Sequence, residues 1–114
     1  MRRIIVNTLK RAGFNDISEA TDGKDALAKM KVDNYGLVIT DWNMPEMDGL
    51  TLVTQIRSTA ELHDMPILMV TTRSVKDDII EAMKAGVNNY IVKPFTPETL
   101  GEKIQQVLKA AGRS

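Results

Sequence analysis

Three short runs of the chain are apolar without interruption: Leu37-Val38-Ile39, Ile67-Leu68-Met69-Val70 and Tyr90-Ile91-Val92. A strand with one wet face alternates polar and apolar residues, so continuous runs predict strands buried on both faces of a parallel sheet. Between them the period changes. Leu50, Val53 and Ile56 recur at three-residue steps, and Ile79, Ile80 and Met83 form a similar stripe before Gly86, which predicts two crossover helices. A last helix opens at Thr96-Pro97-Glu98, with a hydroxyl cap, a proline at the first helical position and an acid in the first turn. Its apolar stripe is Leu100, Ile104, Val107 and Leu108.

Upstream, Asp22-Gly23 caps a short helix through Ala26, Leu27 and Met30. Ile17 to Ala20 predicts a brief strand, and the N-terminus to Ala12 reads as a helix stopped by Gly13. The order is helix, strand, helix, strand, helix, strand, helix, strand, helix. Such alternation predicts an α/β sandwich with right-handed crossovers, in which ligands bind at the carboxyl ends of the strands.

At 114 residues the chain fits one domain, residues 1–114, and 43% hydrophobic with 26% charged residues is the balance of a folded globular protein. Lys plus Arg and Asp plus Glu both number 15, so no net field draws the molecule to nucleic acid or an anionic membrane. The basic pairs Arg2-Arg3 and Lys10-Arg11 read as a solvated helix face. The absence of cysteine excludes disulfides, thiolate catalysis and Cys-based zinc sites, and fits a reducing compartment. No run has the length and apolarity of a signal peptide or membrane span, so the cytoplasm is the expected location.

Asp41 follows Leu37-Val38-Ile39-Thr40 and therefore stands where a buried strand opens to solvent, a position suited to a nucleophile and equally to a turn-capping aspartate. The segment Asp41-Trp42-Asn43-Met44-Pro45-Glu46-Met47-Asp48-Gly49 decides between them. It resembles the phosphoacceptor loop of the CheY-like response-regulator receivers, with Met-Pro and Asp-Gly at that family's spacing. An EF-hand also begins D-x-N, but it needs an acid or amide and then glycine where this chain has Pro45 and Glu46. The resemblance continues at the other strand ends and runs from the N-terminus to Ala111. Thr71 corresponds to the hydroxyl that bonds the phosphoryl group, with Thr72 as its competitor. Lys93-Pro94 matches the family's Lys-Pro, whose proline often follows a cis bond. Tyr90 matches the aromatic whose ring moves inward when that hydroxyl shifts.

The resemblance implies a flavodoxin-like three-layer sandwich around a parallel sheet ordered 2-1-3-4-5. It also implies a two-component chemotaxis switch, not an enzyme, in which Asp41 accepts a phosphoryl group from a histidine kinase. The signal would pass through the last strand and last two helices to a target such as the flagellar motor switch. Mg2+ is the implied cofactor, held by Asp41, the backbone carbonyl of Asn43 and an acidic pair ending the first strand. That strand and pair have no counterpart here, so the domain is expected to be N-terminally truncated, with its central strand missing. Two expectations follow: impaired phosphorylation, which would leave a docking module, and a sheet gap that strand exchange or edge pairing in a homodimer would fill. The rival is a monomer in which the Ile17 strand pairs directly with that at Val38. Asn43 and Arg73 occupy positions that tune acyl-phosphate hydrolysis in the family, and His63 reads as a solvated loop residue.

Overall fold

The computed structural model describes residues 2–11, 13–14, 17–20, 22–33, 35–42, 47–72 and 74–110. In chain order these form α1 (Arg2–Arg11), α2 (Gly23–Val32), β1 (Val38–Thr40), α3 (Gly49–Ser58), β2 (Ile67–Thr71), α4 (Lys76–Ala85), β3 (Asn89–Val92) and α5 (Pro97–Ala110). The strands form one parallel sheet, ordered β1-β2-β3. Its register pairs Val38 with Ile67 and Thr40 with Met69 on one side of β2, and Met69 with Tyr90 and Thr71 with Val92 on the other.

Local chemistry sets the helix ends where the sequence places them. The Asp22 carboxylate accepts from the amide of Asp25 at 2.8 Å, and Asp48 does the same for Thr51 at 2.8 Å. Thr96 Oγ1 accepts from the Thr99 amide at 3.1 Å. These bonds satisfy N–H groups that the first helical turn leaves without an internal partner. At the other end of α4, Gly86 adopts φ 119 and donates to the carbonyls of Ala82 and Met83, a left-handed cap open to glycine without a Cβ penalty.

Successive strand residues point to opposite faces, and the faces divide the core in two. Ile67, Met69 and Tyr90 pack with Leu52, Val53 and Ile56 of α3, Met30 of α2 and Ala82 of α4. Leu68, Val70 and Ile91 pack under Leu100, Ile104, Val107 and Leu108 of α5, with Ile5 and Leu9 of α1 at the margin. The result is the expected three-layer α/β sandwich, with α1 and α5 on one side and α2, α3 and α4 on the other.

Three details depart from expectation. Residues 17–20 do not form a strand and do not pair with β1, so the direct pairing of Ile17 with Val38 is absent; both segments instead line a cavity of about 730 Å3. A single short segment without a hydrogen-bonded neighbour gains nothing from extending. β1 is only half-buried at Val38 and Ile39, because it is the sheet's edge, while β2 is buried at all five positions. On α4 the apolar stripe Ile79, Ile80, Met83 is not the core face. Ala82 is fully buried and Ile79 partly so, while Ile80 and Met83 are 40% and 46% exposed.

Candidate functional site

The carboxyl ends of the three strands form one rim, and each places a polar residue there. Asp41 follows β1 directly, Thr71 closes β2, and Lys93 follows β3. Because β1 and β3 flank β2, their axes lie about 10 Å apart, a gap that a four-carbon lysine side chain facing a carboxylate closes. Lys93 Nζ does reach across the end of β2 and donates to Asp41 Oδ2. The Lys93 side chain is 17% exposed and that of Asp41 33%, so the pair is accessible to a small ligand without being fully wet.

The backbone holds this pair in place. The Lys93 amide donates to the carbonyl of Thr71 at 2.8 Å, so Thr71 anchors the lysine as well as presenting its own hydroxyl. Lys93-Pro94 is a cis peptide, as the Lys-Pro motif suggested. On the other side, Thr40 Oγ1 donates to the Asp41 carbonyl at 3.0 Å and the Gly49 amide donates to the Trp42 carbonyl at 2.7 Å. A Cβ built on Gly49 would lie 2.0 Å from the Asp41 carbonyl oxygen. Only glycine lets the start of α3 close on the Asp41 segment this tightly.

Thr71 is fully buried and shares its face of β2 with Ile67 and Met69. Met69 is the register partner of Tyr90, itself buried, so Thr71 and Tyr90 belong to the same layer. Thr72, the competing hydroxyl, lies beyond the strand and is exposed. Asn43, with Met44, Pro45, Glu46 and Arg73, lies outside the described residues.

The magnesium implied by the resemblance meets a donor set of one carboxylate among the described rim residues, Asp41, and that group is already joined to an ammonium. Mg2+ takes near-octahedral oxygen ligation anchored by carboxylates, and no group of three or more His, Cys, Asp or Glu capable of holding a metal occurs among the described residues. These residues do not by themselves fit the ion.

Pattern reading missed one cluster. Arg57, in the last turn of α3, spends its whole guanidinium on five hydrogen bonds. Nε and Nη2 donate to the Gly86 carbonyl at 3.0 and 2.6 Å, Nη1 to the carbonyls of His63 and Met65 at 2.8 and 2.7 Å, and Nη2 to Asn88 Oδ1 at 2.9 Å. Asn88 Oδ1 also accepts from the amide of Ile67, at the start of β2. Burial lowers the Arg57 pKa from its ordinary value, with Asp64 opposing the shift. In the sequence Arg57 looks like any cation at a helix C-terminus; no local signal shows that it ties two loops to a strand. His63, read as a solvated loop residue, is exposed but has its ring within 3.1 Å of Asp64.

Comparison with known proteins agrees with this rim. The family model for the response regulator receiver domain matches residues 1–105. Among characterised proteins the chain is 53% identical over 109 residues to chemotaxis protein CheY1 of Helicobacter pylori, covering 95% of this chain and 88% of that protein. It is 55% identical over 109 residues to the CheY homolog of Campylobacter jejuni serotype O:23/36, covering 95% and 84%. Among solved structures, Vibrio cholerae chemotaxis protein CheY4 superposes with a TM-score of 0.86 at 37% identity, over 94% of this chain and 88% of that one. Likeness of this degree in both sequence and backbone exceeds what a shared architecture produces by itself, and the chain belongs to the response regulator receiver family, whose members are signalling modules rather than enzymes.

Proposed function

We propose that this receiver is a chemotaxis-type phosphorylation switch with Asp41 as the phosphoacceptor. The observation that carries the reading is the contact between Lys93 and Asp41 across the end of β2, with Thr71 buried beneath it. A carboxylate oxygen of Asp41 attacks the phosphorus of a kinase phosphohistidine. The P–N bond breaks with its electron pair leaving on the imidazole, and an acyl phosphate forms. Lys93 neutralises one phosphoryl oxygen by a charge-assisted hydrogen bond, and the Thr71 hydroxyl donates to another. CheY-family receivers generally use Mg2+; here the rim as described lacks the acids to hold it, so no step is assigned to the ion.

Drawing Thr71 toward the phosphoryl group changes the packing of the layer it shares with Tyr90, which couples the rim to β3, α4 and α5. That face offers an apolar pair, Ile80 and Met83, beside a polar patch in which Asn89 donates to Gln106 at 3.2 Å and Lys103 reaches Asn89 at 3.4 Å. A cytoplasmic histidine kinase and a protein target of the flagellar motor-switch kind are the partners this reading requires.

The second reading, a docking module independent of phosphorylation, is favoured by the shortage of acids at the described rim. A small acyl-phosphate donor with Mg2+ separates them by intact mass spectrometry. A phosphoryl adduct that is lost in Asp41→Asn supports the switch. No adduct on the folded protein, with target binding unchanged by donor, overturns it in favour of docking.

A further inference from the structure

The largest cavity among the described residues, about 730 Å3, lies along the edge of β1 away from β2. It passes through the sheet layer: Ile5, Val6 and Leu9 of α1 line it from one side, and Ala26 and Met30 of α2 with Leu52 of α3 from the other. Its floor runs the length of the strand, from Gly36 to Asp41. Across the gap, the segment 17–20 is fixed as an opposite wall, with Lys29 Nζ donating to the Glu19 carbonyl and Tyr35 Oη to Ser18 Oγ at 3.0 Å.

The edge itself is a template. The Val38 amide donates to the Pro66 carbonyl at 2.9 Å, on the β2 side. In a parallel ladder alternate residues bond to alternate sides, so the N–H and C=O groups of Leu37 and Ile39 point into the cavity. Each residue of a packed strand occupies about 160 Å3, from a rise of about 3.3 Å, a lateral spacing of about 4.8 Å and a layer thickness of about 10 Å. The cavity therefore matches about four to five residues, the length of a common strand. Apolar residues from both helical layers meet there, while Asp41 and Lys93 stand at the rim end. That distribution selects an occupant that is uncharged level with Leu37 to Thr40. The matched segments cover 88% and 84% of the Helicobacter and Campylobacter relatives, which leaves each with more chain outside the match than one strand needs.

We infer that this cavity is an acceptor slot for one extended aliphatic strand of about five residues, contributed by a segment outside residues 1–114. The strand hydrogen-bonds to the Leu37 and Ile39 main chain and buries side chains on both faces of the sheet. The mode is strand addition, in which backbone bonds supply affinity and alternate pockets supply selectivity.

The probe is the chain's own fully buried Ile67–Thr71 sequence as a free peptide, flanked by lysines for solubility. Amide hydrogen exchange of the whole chain is followed residue by residue. Saturating peptide is expected to slow exchange at Leu37 and Ile39 at least tenfold. The same peptide N-methylated at alternate residues keeps its apolar area but cannot complete the ladder, and it is expected to leave both amides unchanged. Val6→Arg, which places a charge in the slot, should abolish the slowing, and the N-methyl comparison decides the matter independently of that variant's folding. Equal slowing by both peptides, or no slowing by either, overturns the proposal. So does slow exchange at Leu37 and Ile39 without peptide, whether constant, from a closed edge, or rising with protein concentration, from a second copy in the slot. The Asp41→Asn protein should bind the probe as the parent does, so failure of the phosphorylation reading leaves this test intact.

Discussion

Arg57 and Ile39 lie in one small domain, yet their surroundings are built on opposite plans. Around Arg57, the end of α3, the loop before β2 and the turn before β3 are joined by one guanidinium whose donors are all engaged. Beside that clamp β2 is buried along its whole length. Around Ile39 a sheet edge opens onto a cavity, and its opposite wall is an irregular segment held by side-chain bonds to α2 and Tyr35. The same type of element, a strand of aliphatic residues, is fully enclosed in one place and half-enclosed in the other. Enclosure in a parallel sheet requires a neighbour on each side, and β2 has two while β1 has one.

The sharpest test of this contrast compares equivalent truncations. Leu68→Ala removes a fully buried side chain between α5 and the sheet and is expected to lower stability by about 3 to 5 kcal/mol. Ile39→Ala, at the half-buried edge, should cost about 1 kcal/mol, since atoms already near solvent contribute less transfer energy. Equilibrium urea unfolding measures both, and equal losses would mean that the β1 edge is closed in solution.

Arg57→Ala should follow at about 2 to 4 kcal/mol, because part-buried carbonyls of Gly86 and Met65 lose charge-assisted donors together. Arg57→Lys should recover less than half, since one ammonium cannot reproduce a planar fork. Full rescue by lysine, read from the same unfolding curves, would break the clamp half of the comparison.

Asp48→Ala removes the cap at the start of α3 and is expected to cost about 1 kcal/mol in thermal or urea unfolding. The smallest effect belongs to the rim. Lys93→Ala breaks the ion pair with Asp41, but both groups are partly exposed, so stability should change by no more than about 1 kcal/mol. Phosphoryl transfer to Asp41, followed by mass spectrometry, should fall far more than stability does. A large stability loss without loss of the adduct would recast the lysine as structural.

Much of this architecture was legible in the residues. Asp22, Asp48, Thr96 and Gly86 stop or start helices through bonds made within a few positions, and such bonds depend on little beyond the local sequence. The rim was legible for a related reason: residues that directly follow or close parallel strands share one end of the sheet, so Asp41, Thr71 and Lys93 had to gather once the strands were located. Ile17 to Ala20 misled because β propensity is realised only with a hydrogen-bonded neighbour. Ile80 and Met83 misled because an apolar stripe at three- to four-residue spacing does not say which of its members faces the core.

The chain by itself determined the helix boundaries, the three strands, their shared rim and the identity of the charged pair upon it, since each rests on short-range hydrogen bonding or on period alone. The tertiary structure decided that Lys93 spans β2 to reach Asp41, that Arg57 binds carbonyls from two distant loops, and that β1 borders an open slot. Those outcomes depend on distances between segments remote in sequence, and no local pattern encodes such a distance until the layers have packed.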